Sequence, residues 1–383
     1  MDLSTCYCRN RHCSRYGLAG REARLQFAGW HRGARRLRCT ACGHRSSART
    51  GTAYAGIRTP ESTFRSGVRQ LAEGAALRAT ARNLECDKDT VCHWLPRVGR
   101  QCLRLRDYFF RHLHLTECQL DELWTFIYKK EERLTAFEKL AGQYGDSWIW
   151  IAFDPVSKVV ATWVVGKRTL TDAQKLIKGL KSRLDGHLPF FTSDDLPHYA
   201  DALLEEYGIW VTPPRRFPRG RPPQPRRQPP PQLVYAVVVK ERERGRVVHV
   251  TTDIIYGTAT QVNACLRDSP VSFSISTYGV ERNNLTIRQH SRRLGRKVNA
   301  FSKKRLYLKH QLALAFAYYH FCCPHRGLRQ KLPRPIPTKN GRGSPKKWRP
   351  VTPAMAAGMT DHVWTIDELL SFRVPPPSKW ETL

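Results

Sequence analysis

The chain has 383 residues, enough for two or three domains, and a hydrophobic fraction of 41%, which supports a buried core. It has 65 Lys and Arg residues but only 32 Asp and Glu residues, which gives a formal net charge of +33. This imbalance excludes a protein whose surface charges nearly cancel. Because the excess of cations runs through nearly every segment, the composition predicts a polyanionic partner. The longest apolar-rich run, residues 312–323, is too short to cross a bilayer, and the N-terminus has no apolar signal segment. We therefore expect a cytoplasmic protein with no membrane partner.

Residues 1–55 have the cysteine spacing of a small zinc-binding module resembling a zinc ribbon. Two pairs separated by 25 residues would supply four thiolates to one tetrahedral zinc: Cys8, Cys13, Cys39 and Cys42. Three neighbours remain alternatives for one of these ligands: Cys6, His12 and His44. Four thiolates would leave the zinc no open position, so the predicted role is structural.

Residues 60–108 predict a helical module. Short helices over 64–72, 77–84 and 90–98 are expected, and Asp87 in the turn before the third is a suitable N-cap. Two helices joined by such a turn match a helix-turn-helix, whose second helix enters the DNA major groove. The residues predicted to contact DNA are Lys88, Thr90, His93 and Arg97. A plain helical bundle is the alternative.

Residues 112–325 alternate between strand and helix signals. Strands are predicted at 147–153, 159–165 and 189–192, and helices at 169–184 and 197–207. Residues 213–231 contain nine Pro and six Arg, which predicts an extended or disordered insertion. Strands over 233–239 and 247–255 and helices over 281–294 and 304–321 follow. The basic, Pro-rich tail, residues 326–383, is predicted to hold a small helical part that packs on the preceding domain or on a partner subunit.

Three acidic residues on separate elements are the strongest functional signal. Asp121 and Asp194 end or follow strand-like apolar runs, and Glu281 begins a helix-like stretch that contains nine Arg or Lys and no other acid up to residue 305. Mg²⁺ and Mn²⁺ take oxygen ligands from a few carboxylates and share the rest of their coordination with phosphate and water. The pattern therefore predicts a site for two divalent cations that faces phosphates.

Neighbouring acids leave two ambiguities at this site. Glu122 follows Asp121, and Asp195 follows Asp194. Adjacent side chains on a strand point to opposite faces, so we expect Asp121 and Glu122 not to face one metal pair together without distortion. On the following helix, helical spacing places Glu281 on one face with an amide and two cations. Glu281 is predicted to bind metal, and the other three residues are predicted to contact DNA: Asn284, Arg288 and Arg292.

Three sequence motifs resemble transposases of the IS1 type, a branch of the DDE superfamily. They are Asp121-Glu122-Leu123-Trp124, then Ser193-Asp194-Asp195-Leu196-Pro197-His198-Tyr199, and Val280-Glu281-Arg282-Asn283-Asn284-Leu285-Thr286-Ile287-Arg288-Gln289-His290. The zinc module followed by a helix-turn-helix is similar to that family's layout, so the resemblance covers most of residues 1–325. The stretch between Asp194 and Glu281 is longer than the compact family pattern.

The resemblance implies a multidomain α/β protein whose mixed-sheet catalytic domain is RNase H-like. In that fold, carboxylates from the first strand, the fourth strand and a following helix converge at one edge of the sheet. The resemblance also implies a catalytic triad of Asp121, Asp194 and Glu281, with Pro197 favouring Asp194 over Asp195.

The predicted function is that of a mobile-element transposase. It would bind double-stranded DNA at the element's terminal repeats, cut and transfer strands with Mg²⁺ or Mn²⁺, and assemble as a dimer or larger on two element ends. The alternatives are a non-catalytic DNA-binding regulator that uses residues 1–105, and a ribonuclease H or junction resolvase of the same fold.

Overall fold

The computed structural model describes residues 4–31, 33–214, 223–295, 297–338 and 343–376. The chain divides into two compact units. The N-terminal unit comprises Met1–Tyr108 with Trp364–Leu383, and the central unit comprises Phe109–Val363. Together the described residues form a mixed α/β structure with 11 α-helices and a six-stranded mixed sheet.

The N-terminal unit begins with a small antiparallel sheet. A 3₁₀ turn at Gly20–Ala23 precedes its three strands, which lie in the order β1 (Leu25–His31), β2 (Ala34–Cys39) and β3 (Arg45–Ser47). Ala23, Leu37 and Cys39 are buried beneath these strands. So few apolar side chains make a very small core, which is the situation in which a metal stabilises a fold.

Three helices follow: α1 (Glu61–Ala72), α2 (Leu77–Asn83) and α3 (Lys88–Phe109). Asp87 caps α3 as predicted, because its carboxylate accepts the backbone N–H of Asp89 at 2.6 Å. Gly67 permits a close approach of α1 to α3, since a Cβ there would lie 2.4 Å from the Trp94 ring. The predicted end of the third helix near residue 98 is wrong: Val98, Cys102 and Leu105 continue its buried stripe at helical spacing.

The central unit is built on a six-stranded sheet with the order β11-β10-β7-β4-β5-β6. The strands are β4 (Glu117–Ile127), β5 (Gly145–Phe153), β6 (Val160–Gly166), β7 (Phe190–Asp194), β10 (Tyr235–Glu243) and β11 (Arg246–Tyr256). β4 pairs antiparallel with β5 but parallel with β7, and β7 pairs parallel with β10. The first and fourth strands of this unit are therefore neighbours in its centre.

Helices pack on both faces of this sheet: α5 (Leu170–Lys181), α6 (Pro197–Tyr207), α7 (Ala259–Asp268), α8 (Tyr278–His290) and α9 (Arg305–Cys322). The short α4 (Ala136–Ala141) buries no side chain, and α10 (Pro353–Ala356) packs on α9. On one face, Tyr199 of α6 packs edge-on against the buried Trp150 of β5. On the other, Phe316 of α9 packs against Trp163 of β6.

Several elements differ from the sequence predictions. The helix predicted over 281–294 ends at His290 and is followed by a 3₁₀ turn at Arg292–Leu294. Residues 215–222 of the predicted Pro/Arg insertion lie outside the described residues, but β9 (Arg226–Gln228) within it pairs with β8 (Ile209–Val211). A further two-stranded sheet, β12 (Gln330–Ile336) with β13 (Lys346–Arg349), lies in the basic tail.

The C-terminal segment, residues 364–376, packs within the N-terminal unit. Its short helix, Ile366–Ser371, buries Ile366, Leu369 and Leu370. The carboxylate of Asp367 accepts hydrogen bonds from Tyr54 at 2.6 Å and from Arg65 at 3.0 Å. Because burying one large aliphatic side chain contributes about 1.5–3 kcal/mol, this segment supplies several kcal/mol to the unit.

Among the described residues, no helix combines the length and apolar character that crossing a membrane requires.

Candidate metal centres and their surroundings

The four predicted cysteines come together in the N-terminal unit. The Sγ atoms of Cys8 and Cys42 lie 3.7 Å apart, and those of Cys13 and Cys39 lie 3.9 Å apart. A tetrahedral zinc with Zn–S bonds of about 2.3 Å requires sulfurs about 3.8 Å apart. The cluster could therefore hold a structural metal such as zinc.

Local turns position these thiols. The N–H of Cys13 bonds the carbonyl of Asn10, and the N–H of Gly43 bonds the carbonyl of Cys39. Burial raises the pKa of Cys8 to about 12, whereas the backbone N–H of His44 lowers the pKa of Cys42 to about 7. Cys6, an alternative ligand, instead packs with Leu37 and Ala48.

In the central unit, Asp121, Glu122 and Asp194 form an acidic cluster. One carboxylate oxygen of each lies within 4.8 Å of the others. The β4–β7 ladder ends at the pair Leu120 and Ser193, so Asp121 and Asp194 lie directly beyond it. Asp194 is the last residue of β7, whereas Asp121 lies within β4, which continues to Ile127 beside β5. The two carboxylates therefore meet where the pairing of β4 with β7 stops.

Glu122 lies in this cluster together with Asp121, and the Asp121 side chain is bent along the strand. Alternation does turn the two neighbours to different helices: Asp121 accepts from Asn284 of α8 at 2.6 Å, and Glu122 accepts from Tyr199 of α6 at 3.0 Å. However, the Asp121 carboxylate bends along its own strand to accept the Glu122 N–H at 2.8 Å. As a result, an Asp121 oxygen and a Glu122 oxygen lie within 4.8 Å of each other, although the two side chains leave the strand on opposite faces.

Crowded negative charge dominates the electrostatics here. Burial, followed by repulsion from Asp194 and Glu122, raises the pKa of Asp121 to about 8. Burial also raises the pKa of Asp194, although Arg168 and Lys240 act against it. The Oδ1 atom of Asp194 is buried and has no hydrogen-bond partner. This donor set fits a divalent cation, which would relieve the repulsion and coordinate the unsatisfied oxygen.

Glu281 lies at the start of α8, outside this cluster. Its carboxylate accepts hydrogen bonds from Lys240 of β10 and from Thr277, the latter at 2.8 Å. Burial alone would raise its pKa, but the bonds from Lys240 and Thr277 lower it below the ordinary value. Lys240 therefore holds the third predicted carboxylate ionised and separate from the other two.

Gln119 and Gly279 fix α8 against β4. The Gln119 side chain accepts the N–H of Val280 at 2.8 Å, and a Cβ on Gly279 would lie 2.6 Å from the same side-chain oxygen. This contact places Asn284 over Asp121. Asn284 is only 7% exposed, so its amide orients the carboxylate rather than facing outward as predicted for a DNA contact.

Two cations were not found from the sequence. Arg168 bonds the almost fully buried Glu122 carboxylate at 2.7 Å and lies over the Trp148 ring. Lys240, within the apolar strand β10, reaches Glu281. Neither cation lies in one of the sequence motifs. Each contacts a carboxylate that is distant in the chain, so the sequence alone did not indicate its role.

The other predicted DNA contacts occupy varied positions. Lys88 and His93 are exposed on the first turns of α3, Thr90 is half-buried, and Arg97 bonds the carbonyl of Ala55. On the central unit, Arg288 is half-buried and donates to the carbonyl of Leu294, so it does not face outward beside Arg292 as the helical spacing predicted. Arg292 is exposed in the following turn.

Comparison with protein-family models found none that matches the chain, and comparison with curated proteins also found no match.

Proposed function

We propose that this protein is a DDE-type DNA transposase with an RNase H-like catalytic domain. The observation that carries the proposal is the meeting of Asp121 and Asp194 where the pairing of β4 with β7 stops, with α8 anchored over Asp121. Glu281, on the same helix, is close enough for its charge to raise the pKa of Asp121. Asp121, Asp194 and Glu281 belong to the first strand, the fourth strand and a following helix, the three elements that the resemblance to IS1-type transposases implies, with Glu281 held by Lys240 outside the cluster.

The carboxylates would hold two Mg²⁺ or Mn²⁺ ions. Asp121 and Asp194 supply the first ligands, Glu122 is close enough to join them, and Glu281 completes the site once it leaves Lys240. Bound divalent cations supply activation of an attacking oxygen and stabilisation of a leaving oxygen in phosphoryl transfer.

The chain's own groups have defined tasks in this reaction. Asn284 keeps the Asp121 carboxylate oriented through its 2.6 Å hydrogen bond. Lys240, released from Glu281, and Arg168 provide positive charge beside the carboxylates for a DNA phosphate. Hydrolysis of one strand leaves a 3′-OH, which then attacks a target phosphodiester and displaces the adjoining 3′ oxygen, without a covalent protein intermediate.

The N-terminal unit would bind the element ends. We propose that its zinc module and the turn between α2 and α3 form a zinc ribbon and a helix-turn-helix, with the exposed Lys88 and His93 at the start of α3 facing double-stranded DNA. A net charge of +33 favours such binding through release of counterions from phosphates. Joining two element ends requires at least two copies of the protein.

Cleavage of the flanking element-end DNA by the purified protein tests the proposal. We expect Mg²⁺-dependent nicking that Asp121→Ala abolishes and that Asp195→Asn, a change in the exposed neighbouring carboxylate, retains. Equal nicking by Asp121→Ala would refute the assignment. Tight DNA binding without nicking by any of these proteins would favour the non-catalytic regulator.

A further inference from the structure

Two large aromatic side chains are exposed together on the β1–β2 hairpin. Phe27 is 53% exposed and Trp30 is 64% exposed. Their ring centroids lie 6.1 Å apart in an edge-to-face arrangement. The guanidinium of Arg35 lies 5.9 Å from the Phe27 centroid and 5.5 Å from the Trp30 centroid. We call these three side chains the hairpin clamp.

A β-bulge creates this clamp. Residues three apart on a regular strand point to opposite faces. Here Phe27 pairs with Leu37 but Trp30 pairs with Arg35, so one extra residue is accommodated between them. Gly29 supplies the bend with φ +85°, a conformation that other residues rarely adopt. The bulge turns Trp30 to the face of Phe27 and Arg35, which regular pairing would not do.

The charge around the clamp indicates its partner. Residues 23–60 contain eight Arg and not one Asp, Glu or Lys. Arg35 and Arg38 are exposed on β2 itself. A surface that combines exposed aromatic rings with arginines is suited to unpaired nucleotides, because bases stack on the rings and guanidinium groups attract the phosphates.

We propose that the hairpin clamp binds unpaired bases of single-stranded DNA, next to the duplex that the N-terminal unit holds. This inference rests on the proposed function only for its DNA substrate. Such bases arise where an element end is nicked and its flanking strand separates. The clamp would therefore favour a frayed or tailed DNA end over a blunt duplex.

The test compares two fluorescent DNA probes, a blunt duplex and the same duplex with a single-stranded thymidine tail, by fluorescence anisotropy. We expect wild-type protein to bind the tailed probe about tenfold more tightly. Trp30→Ala should lose this preference while keeping its affinity for the blunt duplex, and Trp30→Phe should retain most of it. Phe137→Ala, which alters an 80% exposed ring on α4, should behave as wild type.

A second variant changes the backbone that positions the clamp while keeping its three side chains. Gly29→Val retains both rings and meets open space, but a β-branched residue resists positive φ, so Trp30 should leave the clamp and the tail preference should fall. Zinc content and circular dichroism of each variant report whether the unit is folded.

The outcomes separate this inference from the proposed function. Unchanged tail preference in folded Trp30→Ala would overturn the clamp, and so would an equal loss of affinity for both probes. Mg²⁺-dependent nicking can persist in either case. Conversely, a tail preference that depends on Trp30 in a protein that never nicks DNA would support the clamp and refute the transposase.

Discussion

Replacing Asp121 by Asn should stabilise the protein in Mg²⁺-free buffer. The pKa of Asp121 is about 8, against an ordinary value of 3.8. Between these two values the folded chain binds more protons than the unfolded chain, so this carboxyl lowers stability as pH rises. The amide of the Asp121→Asn variant does not ionise, and the variant escapes that penalty.

The magnitude follows from the same pKa. At pH 7 the penalty would be about 4 kcal/mol for a fully desolvated carboxyl. Asp121 keeps partial exposure, which allows water to screen its charge, and we therefore expect about half of this, about 2 kcal/mol. The introduced amide would fit locally, because the unsatisfied Oδ1 of Asn284 can accept its N–H once the Asn284 side chain flips.

Urea unfolding at about pH 5 and about pH 7.5 would measure this effect. The free energy of unfolding of Asp121→Asn should exceed that of the wild type by a small amount at the lower pH and by a larger amount at the higher pH. Mg²⁺ should stabilise the wild type and have much less effect on the variant, because a ligand stabilises only the state that binds it. Asp195→Asn serves as the control. An Asp121→Asn variant that is less stable than wild type at both pH values would refute the reasoning.

Three further predictions concern other parts of the chain. If the four-cysteine cluster holds zinc as proposed, Cys39→Ser should lose the metal and unfold the N-terminal unit, whereas Cys6→Ser should keep one zinc per chain in atomic absorption measurements. Lys240→Met should tighten Mg²⁺ binding in calorimetry roughly tenfold, because it removes a cation that competes for Glu281; unchanged affinity would contradict this. A chain that ends before Trp364 should lose DNA binding together with the fold of its N-terminal unit, and should expose protease sites there while the central unit stays resistant.

The local sequence pattern predicted those helices and strands that are defined by the hydrophobic spacing of their own residues. Apolar runs located β5, β6 and β7, and the cysteine spacing located a cluster that the structure brings together. The ten-residue α7 was not predicted, although Val262, Cys265 and Leu266 form a packed side at helical spacing.

Features that depend on pairing between distant strands could not be predicted. The register of β4 against β7 places Asp121 beside Asp194. The two residues are 73 positions apart in the chain, so no local sequence pattern could show that they are neighbours. The approach of Glu122 depends on how one side chain bends at the end of a ladder. Likewise, the contact of Lys240 with Glu281 joins residues 41 apart in the chain.

The position of the C-terminal segment has a consequence for synthesis. Residues 4–108 of the N-terminal unit are translated before the central unit, whereas residues 366–371, which complete the packing of the N-terminal unit, are translated after it. We expect the N-terminal unit to remain incompletely folded until residues 366–371 have left the ribosome. A product truncated before residue 366 would then contain the four clustered cysteines and helices α1 to α3, but without the contacts that complete the packing of the N-terminal unit.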